Sequence, residues 1–189
     1  MLHAELARAA AITREVVGGV DDRDLGRPTP CAGLDVRGVL DHLMGVLTVA
    51  DRAGRKVAQL PPEELWVDRM TGDWRGRFDA LVVAAERAWG TDAAWLGGTE
   101  LLGRPFPAAD AGRKLIGELL VHGWDVARAT GRAYHPDPAV TATVHEYFAR
   151  SFAAERRPGA WGAEVPVAPD ATEFDRVLGL SGRDPGWTP

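Results

Sequence analysis

Four long segments of this chain repeat apolar residues at steps of three and four, and Gly or Pro bounds each of them. That pattern specifies amphipathic helices and leaves little room for a sheet. The first segment, residues 2–18, carries Leu2, Leu6, Ala9, Ile12 or Thr13, and Val16 on one side, and Gly18-Gly19 closes it. The second starts at Asp35, a favourable N-cap, and carries Val36, Val39, Leu40, Leu43, Leu47 and Ala50; Pro61-Pro62 lies past its end. The third runs from about Asp73 to Trp89 with Trp74, Phe78, Leu81, Val82 and Ala85 inward, and Gly90 ends it. The fourth is expected to be capped by Asp110 and to stop at Gly131, with Arg128 in its last turn.

A fifth helix is predicted over residues 139–154, on Val140, Val144, Tyr147, Phe148 and Phe152. Residues 21–34 and 90–109 are rich in Gly and Pro and read as connections. A link as long as 90–109 within a small domain is often functional. From Arg156 the pattern breaks into short pieces. VPVAP (165–169) suggests one extended strand, and FDRVLGLSG (174–182) a short helix. The expected fold is all-α: a four-helix bundle over residues 1–155 with an additional helix, and a short, mostly irregular C-terminal tail over 156–189 packed against it.

At 189 residues the chain suits one domain with a proper core. A net charge of −5 argues against a general nucleic-acid binder, which needs surplus Lys and Arg. No uncharged apolar run approaches the ~18 residues of a membrane span. The N-terminus lacks the basic-then-apolar order of a signal peptide. The single cysteine, Cys31, cannot form an internal disulfide. A cytoplasmic protein is the expectation. Exposed tryptophans among the seven offer a face for a possible homodimer.

The fourth helix breaks its own pattern. In GELLVHGWDVARATG (117–131), Glu118 and His122 are four residues apart and point the same way, within the sector of Leu115, Leu119 and Val126. Two ionisable groups entering a core together need a partner. Glu118 and His122 can satisfy each other, can face solvent, or can bind a metal ion, which takes carboxylate and neutral imidazole together. A third donor exists in His42, at the edge of the second helix's apolar stripe beside Val39 and Val46. Two histidines and one carboxylate form the three-ligand pattern of catalytic zinc, which leaves a position open. The same set suits Fe(II), Ni(II) or Mn(II). Asp125 stands where it can accept a hydrogen bond behind the site or lie on the surface. His3, His135 and His145 read as structural or surface residues; Arg113 and Lys114, near the start of the fourth helix, can meet an anionic substrate, with solvated surface as the simpler reading.

RPTPCAGLDVRGVLDHLMG (27–45) and GELLVHGWDVARATG (117–131) resemble two signature segments of the DinB-like metal-binding four-helix bundles, on the branch related to mycothiol-dependent maleylpyruvate isomerase. The tail, residues 162–185, resembles the end of the short members of that branch. The resemblance implies an up-down-down-up bundle with a divalent metal, zinc foremost, held by His42, Glu118 and His122. Two departures are present: Leu34 stands where the family usually has tryptophan, and the isomerase's larger C-terminal domain is not matched.

The resemblance further implies mycothiol or a related low-molecular-weight thiol as cosubstrate and a small electrophile as substrate. A thiolate can add to a conjugated double bond, allow rotation and leave, or attack carbon and stay. The expected activity is therefore a metal-dependent thiol S-transferase or isomerase. Two alternatives stand beside it: a metal-dependent hydrolase of a small ester or amide, and a non-catalytic metal-stabilised bundle, which requires a fourth protein ligand. Cys31, in the loop entering the second helix, is a further catalytic candidate, with a buried structural thiol as the simpler reading.

Overall fold

The computed structural model describes residues 2–65, 67–155 and 161–189, apart from the side chains of residues 152–155. Its helices are α1 (His3–Gly18), α2 (Val36–Gly54), α3 (Pro62–Leu65), α4 (Trp74–Ala88), α5 (Asp92–Trp95), α6 (Ala108–Thr130), α7 (Pro138–Glu155) and α8 (Glu173–Leu180). Strands β1 (Gly98–Leu101) and β2 (Arg104–Pro107) form an antiparallel hairpin. The four long helices of the sequence pattern are α1, α2, α4 and α6, and they build the all-α bundle. Helix α6 packs on α1 and on α2, and α4 packs on the same two from the other side. Around the bundle the order is therefore α1, α6, α2, α4.

The apolar stripes meet in one core. Leu40, Leu43, Met44 and Leu47 of α2 are sealed against Ile116, Leu119 and Leu120 of α6, with Phe78 and Val82 of α4 beneath. Asp35 caps α2 by accepting from the Gly38 amide at 2.8 Å, and Asp73 caps α4 through the Gly76 amide at 2.9 Å. Helix α7 lies outside, against α6 and α1, and α8 packs on α7. No helix among the described residues is long and apolar enough to cross a membrane.

Four expectations need correction. Helix α6 begins at Ala108 with Pro107 as N-cap, not at Asp110. Asp110 lies in the first turn, where its carboxylate accepts from Arg113 and Arg150, each at 3.0 Å. The 90–109 connection is not irregular: it holds α5 and the hairpin. Its turn is Leu102-Gly103, both with positive φ (49° and 75°), the backbone of a tight two-residue hairpin turn. Leu102 is an unusual residue for that geometry, so the usual Asn-Gly signal is missing. The VPVAP segment pairs with no strand; Val165 donates instead to the Gly179 carbonyl at the end of α8. Lastly, the described tryptophans offer no exposed face: Trp74, Trp89, Trp95 and Trp124 are buried, and Trp161 and Trp187 half-buried. Trp66 and residues 156–160, the start of the predicted tail, lie outside the described residues, as does the side chain of Phe152.

Candidate functional site

Glu118 and His122 occupy successive turns of α6, and the helix turns both into the bundle, leaving the side chains 7% and 5% exposed. Their approach is direct, His122 Nε2 lying 3.2 Å from Glu118 Oε2. His42 reaches the same oxygen from α2, Nε2 to Oε2 3.3 Å, with its ring edge open to solvent at 37% exposure. The two imidazoles meet edge to face, with centroids 4.8 Å apart. The donor atoms of His42, Glu118 and His122 thus lie within 4.8 Å of one another, at a point where α2 and α6 touch.

The surroundings fix each group. The other ring nitrogen of His122, Nδ1, donates to Asp125 Oδ2 at 2.9 Å. Asp125 is fully buried and is held in turn by Arg183 of the tail, at 3.0 and 3.3 Å. Arg183 also donates to the Ser181 carbonyl at 2.7 Å. Lys114, one turn before Glu118, brings Nζ to 3.0 Å from Oε1. Trp161 stacks on the His122 ring at 6.0 Å, with Lys114 and Arg183 over its own ring, each at 5.3 Å.

The charges follow from this packing. Burial alone would raise the Glu118 carboxyl, but Lys114 and the two imidazoles hold it well below the usual carboxylate range. Burial would likewise lower His122, but hydrogen bonds to Asp125 and Glu118, together with their charges, raise it. With Nδ1–H committed to Asp125, a neutral His122 turns a lone pair from Nε2 toward the Glu118 oxygen. That arrangement is attractive only with a proton on Nε2 or a cation between the two groups.

Of the sequence candidates, His42, Glu118 and His122 come together, and Asp125 joins them from behind. Cys31 lies beside His122 and Asp125, forming a second group of donor atoms within 4.8 Å. Burial pushes its thiol up to about 11, against the lowering effect of Arg183. His3 and His145 pair elsewhere, with Asp92 and Glu173. Among the described residues no fourth His, Cys, Asp or Glu donor lies within 4.8 Å of all three.

Two site residues escape sequence reasoning, Arg183 and Trp161, and a third, Lys114, pairs with Glu118 rather than standing as solvated surface. Lys114 carried a readable signal, because it stands four residues before Glu118 on the same face. Arg183 and Trp161 carried none, since only the fold brings the tail to α6.

Beside the cluster, between α2, α6 and the hairpin, is a cavity of about 290 Å³. His42, Lys114 and Glu118 contribute its polar wall; Val49, Trp89 and Leu101 are among its apolar lining residues.

Fold and site together define a helical bundle that carries a His/Glu/His cluster, its Glu118 and His122 buried and its His42 at the edge, beside a largely apolar cavity. The family described as mycothiol maleylpyruvate isomerase N-terminal domain matches residues 6–127, and the chain belongs to that family. Two solved structures share the fold. The crystal structure of the mycothiol-dependent maleylpyruvate isomerase superposes with a TM-score of 0.61 at 14% identity, over 79% of this chain and 67% of that one. A histidine-to-alanine mutant of that enzyme superposes with a TM-score of 0.65 at 14% identity, over 95% and 88%. No curated protein matches the chain by sequence.

Proposed function

We propose that the chain binds one divalent metal ion, zinc foremost, through His42 Nε2, Glu118 and His122 Nε2, and uses it to activate mycothiol or a related small thiol against a small electrophile. The observation that carries this reading is the convergence of three donors with Nδ1 of His122 already committed to Asp125. Ligand atoms ~2.1 Å from a tetrahedral ion stand about 3.4 Å apart. The nitrogen-to-oxygen separations of 3.2 and 3.3 Å suit that geometry as well as they suit hydrogen bonds.

The ion would supply Lewis acidity, favouring thiolate over thiol at neutral pH. The chain's own residues do the rest. Asp125 selects the His122 tautomer and fixes the ring plane, and Arg183 holds Asp125. Lys114 keeps Glu118 ionised. With three protein donors and no fourth among the described residues, a coordination position stays free, which favours catalysis over a closed structural site. Transfer and isomerisation share the attacking thiolate and differ in whether the thiol leaves again.

The test is an assay of the zinc-loaded protein with mycothiol and model electrophiles, such as an activated aryl halide and a maleyl compound. Thiol-dependent turnover that disappears in His122→Ala is expected. Thiol-independent cleavage of chromogenic esters instead would replace the proposal with a hydrolase, and inactivity toward every thiol would remove its thiol half.

A further inference from the structure

The cavity extends well beyond the space a metal and a thiol sulfur would need. Its α2 lining runs from His42 through Val46 and Val49 to Ala53. Eleven helical steps at 1.5 Å each make that wall roughly 16 Å long. The α6 lining runs the opposite way in sequence, from Glu118 back to Ala111. One end therefore lies at the His/Glu/His cluster, and the body leads away between α2 and α6 toward Trp89 and the hairpin.

The chemistry of the walls is uneven. His42, Lys114 and Glu118 sit together at the cluster end; every other described lining residue is apolar or glycine. Lys114 is already paired with Glu118 at 3.0 Å. No arginine is among the described lining residues. A compact dianion placed in the body of this cavity would lose part of its hydration with no arginine or unpaired lysine among the described lining residues to meet it. An apolar group gains there. A cavity of ~150 Å³ is enough to take up benzene, so this volume suits an apolar group of about ten carbon atoms.

We infer that the substrate is an electrophile with an apolar alkyl or aryl body of about ten carbons, seated in this cavity with its reactive carbon at the His42–Glu118–His122 end. The inference rests on the metal–thiol reading for the reaction, but the cavity's preference stands apart from it and is measured without turnover.

The experiment titrates n-alkanols from butanol to decanol into the intact protein, with and without zinc, by displacement of 1-aminoanthracene. Each added methylene is expected to tighten binding about three- to fourfold until the cavity is full. Val49→Phe and Ala53→Leu, which fill the body of the cavity away from the cluster, are each expected to weaken octanol at least tenfold while zinc content stays unchanged. Binding independent of chain length, or octanol affinity unchanged from the wild type in both filled variants, overturns the inference. Chain-length dependence without zinc uptake upholds the apolar site and overturns the metal reading; zinc uptake and thiol turnover with no chain-length dependence do the reverse.

Discussion

Asp125 touches no open space, yet it sets what His122 can do. By accepting from Nδ1 it directs Nε2 toward Glu118. Asp125→Asn keeps the shape but offers Nδ1 a poorer acceptor and leaves Arg183 with a weaker partner. Zinc affinity of the folded variant is expected to fall about 10- to 100-fold, measured by competition with a chromogenic chelator. Unchanged affinity would make Asp125 purely structural. Cys31 is expected to be a bystander. With its thiol pushed up to about 11, it alkylates slowly at neutral pH and faster as pH climbs toward that value. Cys31→Ser retains full zinc content and thiol turnover on this account; loss of turnover with metal retained would make it catalytic. Much of this was legible one residue at a time. Helical spacing places Glu118 and His122 on one inward face, and the edge position of His42 leaves its ring half open, as the structure has it. What spacing could not give is the reach of Arg183 and Trp161, because a tail's landing point depends on the whole fold.

Elements keep the site's walls in register. Helix α6 lies against α5 because Gly112 lets the Trp95 ring approach: a Cβ added there would stand 2.4 Å from that ring. Trp95 in turn donates its indole N–H to the Trp89 carbonyl at 2.9 Å, tying α5 to the cavity wall. Gly112→Ala must therefore move a buried indole. A loss of about 1–3 kcal/mol is expected in denaturant unfolding; a neutral result would show that α5 yields freely. The long helices were legible because each repeats its apolar stripe over several turns. The hairpin was not, since its strands are four residues each and Leu102-Gly103 lacks a turn signature. The start of α6 is not legible because Asp110 resembles an N-cap, while the chain enters the helix directly from the hairpin through Pro107.

At the scale of the whole molecule, the proposed metal site would couple folding to protons and to metal. His122 is held above its ordinary value of 6.5, so in the metal-free protein it contributes stability below that pH and loses it as pH rises through the raised value. Glu118, held below 4.5, contributes above that pH and loses it on acidification. Zinc requires neutral imidazole, so its stabilising effect grows over the interval in which His122 gives up its proton. Melting temperatures recorded from pH ~5 to ~9 should fall on the alkaline side without metal and hold with it. A zinc-induced rise of equal size at every pH would contradict the link. The central claim is the metal itself. It is tested most directly by mass-spectrometric metal content of protein purified without chelator or histidine tag, alongside His122→Ala and Glu118→Gln. The account predicts about one equivalent of zinc or another divalent ion in the wild type and loss in both variants. A wild type that takes up no metal even after reconstitution would contradict it, and would return Glu118 and His122 to a buried ion pair.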